Sequence, residues 1–192
     1  RKDALLFTFL QVLFSSIEMH TVWVRLNAVV FFGLTVIVSL AVLTWVSTIS
    51  HQGFPTVDVL RVNSVKSLRS HSKKDVAVLT FDLHADLAPA FDWNIKQLFV
   101  FVVAEYRSKT NPLNQVVIWD KIIEYPEDAK IDLDKATVEY GLIDQGADLR
   151  NTTIQLRLVW DHMPLTGRLF MESVPTSTYR LPSQYTSDMK RR

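Results

Sequence analysis

The chain reads as mainly β: a β-sandwich following one N-terminal transmembrane helix. Three observations carry that reading. Residues 28–49 (AVVFFGLTVIVSLAVLTWVSTI) run for twenty-two positions without a charge. Beyond them, short alternating or continuous apolar runs follow one another, divided by Pro, Gly, Asn and Asp, which is the rhythm of an all-β domain. Within these, the stretch 91–122 holds two apolar runs on either side of Ser108-Lys109-Thr110-Asn111-Pro112, and they read as two strands of one buried sheet.

The chain has 192 residues, enough for one domain of ordinary size and an anchor. The expected organisation is an N-terminal segment over 1–27, the helix over 28–49, the sandwich over 51–182 and a polar, basic tail over 183–192. The formal net charge is +1, and from His51 onward 18 Lys and Arg face 18 Asp and Glu. Such a balance gives no electrostatic footprint for nucleic acid. Cysteine is absent, which excludes disulfides, thiol catalysis and Cys-type zinc sites.

The uncharged run would make roughly 33 Å of helix, close to the hydrocarbon thickness of a bilayer. The apolar part of a cleaved signal peptide is only about 7–15 residues. Arg25 precedes the run, and Trp45 and His51 fall at its end, where amphipathic rings favour the interface. Two orientation signals disagree. Arg61, Lys66 and Arg69 lean toward a cytosolic C-terminal domain. The sequon Asn151-Thr152-Thr153 can be glycosylated only on the lumenal side. Ahead of the helix, Ala4 to Ile17 is apolar but fourteen residues long, too short to span comfortably. Met19 is a natural start, so residues 1–18 are expected to be an upstream extension absent from the native protein.

After the anchor, Val57 to Val65 has a mixed strand pattern, followed by a polar loop at Ser70 to Lys74. From Asp75 to Leu87 the chain alternates, with Ala77, Leu79, Phe81, Leu83, Ala85 and Leu87 on one face, as in a half-buried antiparallel strand. Leu98 to Ala104 and Val116 to Trp119 are too apolar to alternate, so both their faces are expected to be covered. Phe91, Trp93, Phe99, Phe101 and Trp119 are expected to supply that core with aromatic area. Pro126-Glu127-Asp128 marks a turn. Lys130 to Asp134 and Thr137 to Ile143 read as short strands, Asp144 to Asn151 as a loop, Thr153 to Trp160 as an alternating strand, and Gly167 to Val174 as a last strand.

Candidate chemistry is sparse. Asp82, His84 and Asp86 share one face of a strand, a donor set that oxygen- and nitrogen-preferring metals accept. A solvated strand face needs the same residues, and one strand rarely supplies a full ligand set. Serines abound and a few histidines are available, yet no Gly-x-Ser-x-Gly or comparable signature surrounds any serine, and there is no Gly-rich phosphate loop. No catalytic, cofactor-binding or metal-binding residue is assigned. Asp92-Trp93-Asn94 and Trp119-Asp120-Lys121 set an aromatic beside polar neighbours, which serves either partner binding or strand-end packing.

The central stretch carries a resemblance. Thr80-Phe81-Asp82, Ala85-Asp86-Leu87, Phe91-Asp92-Trp93-Asn94, Lys96-Gln97-Leu98-Phe99, Ala104-Glu105-Tyr106, Leu113-Asn114-Gln115-Val116-Val117 and Trp119-Asp120-Lys121-Ile122 keep an order and spacing similar to the family of subunit 3 of the eukaryotic signal peptidase complex. The likeness runs from about Met19 to Trp160. Residues 1–18 have no counterpart in it, and His84 falls outside its pattern, which weakens the metal reading. The resemblance implies a short cytosolic N-terminus, one span and a lumenal β-sandwich: a single-pass type II protein of the endoplasmic reticulum membrane. It implies glycosylation at Asn151. It implies no catalytic residue, and partners in the catalytic serine-protease subunit and the small membrane subunits of that hetero-oligomer. The polar and aromatic positions within it then act as core or partner contacts. The alternative is an accessory subunit of another membrane complex, a transporter or translocon, which would share the same form.

Overall fold

A computed structural model describes residues 21–48 and 53–186. The expectations for residues 1–18 and for the apolar piece at 4–17 therefore lie outside the described residues.

Helix α1 spans Val22–Thr48, 27 residues, and begins six residues before the uncharged run, taking in Arg25. It is long and apolar enough to cross a membrane, and none of its residues is buried. The Thr21 hydroxyl accepts a hydrogen bond from Val24 N–H at 3.4 Å, a cap on the first turn. The hydroxyls inside the apolar run close back on the helix itself. Thr35 Oγ1 donates to Phe31 O and Ser39 Oγ to Thr35 O, each at 2.8 Å. Such bonds let a polar side chain sit in hydrocarbon without water.

Among the described residues the β domain has eight strands in two antiparallel sheets: β1 (Thr56–His71), β2 (Lys74–Asp86), β3 (Ile95–Tyr106), β4 (Asn114–Ile123), β5 (Lys130–Thr137), β6 (Leu142–Ile143), β7 (Thr153–Pro164) and β8 (Phe170–Arg180). One sheet runs β1-β2-β5 with β6 beside β2; the other runs β4-β3-β7-β8. Both contribute alternate residues to one core. Leu60, Leu79, Phe81 and Leu83 come from the first sheet, and Leu98, Val100, Val102, Ile154, Leu156 and Leu158 from the second. Phe81 meets Trp119 edge-on across the sandwich, ring centres 6.2 Å apart. Ser177 Oγ donates to Leu60 O at 2.8 Å, joining β8 to β1.

Strand boundaries differ from the sequence reading in three places. Ser70 to Lys74 is not a loop: β1 and β2 form a long hairpin in which His71 pairs with Lys74. Its two-residue turn holds Ser72 at φ 52° and Lys73 at φ 66°. Glycine or asparagine usually marks such a turn, so the signal was missing. Thr137 to Ile143 is not a strand, since β5 ends at Thr137 and β6 is only Leu142–Ile143. The link between them is occupied by bonds from the Glu139 and Tyr140 amides to Ile118 O. The last strand begins later and runs on to Arg180. Tyr185 and Thr186 then bond to Asp75 and Leu68, attaching the described part of the 183–192 segment to the first sheet.

Candidate functional site

The two sheets bury similar inner faces, but their outer faces differ in kind. On the β1-β2-β5 sheet the outward positions are polar and paired with one another. Asp82 is buried, and its carboxylate accepts bonds from Arg61 Nε at 3.0 Å and from the Lys135 amide at 2.8 Å. Lys135 sits at φ 51° where the pairing of β2 with β5 slips by one residue, so Asp82 caps that bulge. The Lys135 amide and the Arg61 guanidinium hold the Asp82 carboxyl below its ordinary range. Ser64 Oγ lies 2.7 Å from Thr80 Oγ1, and Lys66 Nζ donates to Thr137 Oγ1.

The trio Asp82, His84 and Asp86 does not converge on a shared point. Asp86 accepts from the Ala88 amide at 3.0 Å, and His84 turns to β5. Its Nδ1 is 2.5 Å from Asp132 and its Nε2 3.3 Å from Asp134. The two ring nitrogens thus face two different carboxylates, and the three groups lie close enough that each could offer one ligand atom to a cation.

On the β4-β3-β7-β8 sheet several outward positions are apolar. Strand pairing sets Val117 beside Val103, Ile122 beside Phe99 and Val159 beside Phe101, with Met171 one strand further out. Val117, Ile122 and Met171 are 38%, 54% and 65% exposed. The expectation that both faces of β3 are covered therefore fails at Phe99 and Phe101, whereas Val103 is buried. Leu98, Val100, Val102 and Ala104 are buried, while Phe99 and Phe101 are only half-buried on the outside, their rings 5.2 Å apart. Unpartnered apolar area of this kind marks interaction surfaces. A fixed polar group is set into it: Glu105 accepts from Arg157 Nε at 2.9 Å and from Gln115 Nε2 at 2.7 Å. The Arg157 guanidinium holds the Glu105 carboxyl below its usual range. Nearby, Asp161 Oδ1 is buried with no hydrogen-bond partner among the described residues.

The motif positions divide between core, turn locks and this face. Trp119 is buried against Phe81. Trp93, expected in the core, is 62% exposed at the tip of a turn, and Phe91 is half-buried. Asp92 holds that turn by accepting from the Asn94 and Ile95 amides at 2.7 and 3.0 Å. Buried Asn94 donates to Thr166 O at 2.9 Å and accepts from Thr166 N at 3.2 Å. Gln97 is half-buried, its amide 3.1 Å from Met163 Sδ. Tyr106, also buried, donates to Asp144 at 2.8 Å, and burial with that carboxylate pushes its phenol well up. Asn114 spans the 106–114 loop, donating to Tyr106 O and Ser108 Oγ. Asp120 accepts from Tyr140, whose phenol is raised as a result. Lys96 and Lys121 are exposed. Asn151 is exposed at φ 61° at the start of β7, its Oδ1 accepting from Arg180 Nε at 2.9 Å.

The outer apolar face was missed in the sequence, although its signal was present. A strand apolar at both parities announces two apolar faces; it cannot say whether the chain itself covers both.

The comparisons with known proteins agree with one another. The family described as signal peptidase subunit matches residues 19–184. The protein named signal peptidase complex subunit 3 in Dictyostelium discoideum is 35% identical over 170 residues, covering 88% of this chain and 99% of that one. The one in Drosophila melanogaster is 35% identical over 176 residues, 88% and 98% of the two chains. The human protein of the same name is 34% identical over 180 residues, covering 87% of this chain and all of its own length. A match that takes in the helix, both sheets and nearly the whole length of each relative is one of family: the chain is a member of the signal peptidase subunit family.

Proposed function

We propose that this protein is the non-catalytic accessory subunit of a signal peptidase complex in the endoplasmic reticulum membrane. In this reading α1 crosses the bilayer once, with a cytosolic N-terminus and the sandwich in the lumen. The protein supports the catalytic serine-protease subunit and sits with the small membrane subunits while signal peptides are removed from secretory and membrane precursors. The observation that carries the reading is end-to-end similarity to relatives that bear the name of that complex's subunit 3. Lumenal placement is supported by the sequon, whose Asn151 side chain is exposed at a strand end. Docking of the catalytic subunit on the β4-β3-β7-β8 outer face is supported by its apolar area and its fixed Glu105–Arg157 pair. Such a mix, apolar ground with an oriented polar group, is the makeup of interface cores.

The test is capture of the tagged chain from membranes solubilised in mild detergent. The catalytic peptidase subunit should co-purify, with signal-peptide cleavage in the eluate. A shift of the chain on endoglycosidase treatment checks glycosylation at Asn151 and the lumenal side together. Recovery of transporter or translocon proteins without the peptidase would overturn the assignment.

A further inference from the structure

We infer that the end of the sandwich at which β1 begins is a second membrane contact, seated in the headgroup layer of the bilayer. The inference rests on the reading of α1 as a span and adds to it a surface of the β domain. Strand pairing gathers three loops at this end: Thr56 pairs with Asp86, Ile95 with Pro164, and His162 with Phe170. Their tips expose Phe54 at 81%, Trp93 at 62%, Leu165 at 65% and Leu169 at 60%. Large apolar side chains this exposed, on neighbouring tips, are out of keeping with a surface that meets only water.

The tips are held rather than loose. Asn94, beside Trp93, is clamped to Thr166 through both atoms of its amide, and Leu165 N–H donates to Asn94 O at 2.7 Å. Gly53, beside Phe54, packs its backbone so closely on Pro89 that a Cβ there would lie 1.5 Å from the Pro89 carbonyl oxygen. Only glycine allows that approach. At the opposite end the turn tips at Ser72-Lys73, Lys109 to Asn111 and the sequon Asn151 are polar, with Leu113 59%, Tyr140 50% and Ile143 46% exposed beside them.

Lipid is the occupant that the connectivity favours. Eight residue steps separate Thr48 at the end of α1 from Thr56 at the start of β1, so covalent geometry alone keeps the two within about 28 Å. Tryptophan with leucine and phenylalanine is the composition that partitions into a membrane interface. The charges nearby do not select anionic lipid, since Glu124, Glu127 and Asp128 stand with Lys96 and Arg168 around these loops. The contact should therefore form on neutral phosphatidylcholine and persist in high salt.

The absence of native cysteine allows single nitroxide labels in the full chain. Leu165→Cys, Leu169→Cys and Trp93→Cys report the loops, Ile37→Cys the middle of α1, and Lys109→Cys the far end, all reconstituted in phosphatidylcholine vesicles. The loop sites are at least 60% exposed, and unchanged melting of the variants checks that they fold. Loop labels should collide with oxygen several-fold more readily than with a water-soluble nickel chelate, in the direction of Ile37 and opposite to Lys109. Loop labels that behave like Lys109 while Ile37 stays in lipid overturn the inference and leave the anchor intact. An Ile37 label in water overturns both. Loop protection that arises only when the remaining peptidase subunits are added assigns this end to a protein partner, and the inference falls.

Discussion

The two outer faces of the sandwich are built on the same inner core yet are finished differently. The β1-β2-β5 face pairs its own polar groups, Asp82 with Arg61 and Lys135, His84 with Asp132 and Asp134, Ser64 with Thr80. The β4-β3-β7-β8 face leaves Phe99, Phe101, Val103, Val117, Ile122 and Met171 outward, with one oriented ion pair among them. The first face is complete in the isolated chain. The second leaves apolar area open to solvent. In the function proposed above, the first face stands in water and the second is covered by a partner.

The comparison predicts that substitutions separate by face as well as by size. The largest loss belongs to neither outer face. Trp119→Ala removes a buried ring packed on Phe81 and should cost about 3–5 kcal/mol in chemical denaturation of the domain. A variant that unfolds like the parent would show that the two sheets do not share this core. Next comes the self-paired face. Asp82→Asn should lower the melting temperature less than Trp119→Ala does, because the Lys135 amide and Arg61 lose a charged acceptor. The sign with pH follows from a carboxyl whose folded value lies below its ordinary 3.8. Its stabilisation is full above that value and is lost as pH falls through the lower folded value. The parent should therefore lose melting temperature in that acid window, and Asp82→Asn should show a flatter profile there. Equal slopes would remove Asp82 from the account.

On the open face the expected order of effects inverts. Met171→Lys and Val117→Lys alter positions that are 65% and 38% exposed, so stability should change by about 0.5 kcal/mol or less. Co-purification with the peptidase should nonetheless drop sharply, since each places a charge on apolar ground that a partner must desolvate. Assembly at the parent level in both variants would move the docking surface elsewhere on the domain.

What the sequence could supply follows from the same contrast. The single helix and the alternation from Asp75 to Leu87 were legible because burial on one face writes a period into the residues. The family stretch was legible because its motif positions include turn locks and core residues, Asp92, Asn94, Tyr106 and Trp119, whose identities are set by the bonds and packing they make. The open face is not distinguished from a covered one, because a residue buried by its own chain and one left outward can both be apolar. The Ser72-Lys73 turn was hidden for the opposite reason: a left-handed turn was built without the residues that announce it. Trp93 fell between these cases, aromatic like the core but carried on a loop.

Trp93 also gives the smallest stability effect and the sharpest test. It lies in the same central stretch as Trp119, with the same side chain, yet it is 62% exposed where Trp119 is 7%. Trp93→Ala should leave denaturation within about 0.5 kcal/mol of the parent, against several for Trp119→Ala. The turn beneath it is held by Asp92 and Asn94, not by the indole, so truncation does not release the loop. A ring left in water by the fold and not needed by the turn contributes through what it touches outside the domain. Its loss should then appear as greater access of the nickel chelate to a Leu165→Cys label in reconstituted vesicles. If Trp93→Ala instead unfolds the domain as readily as Trp119→Ala, the two tryptophans do the same work, and the distinction between covered and outward residues fails at the residue where it is most exposed.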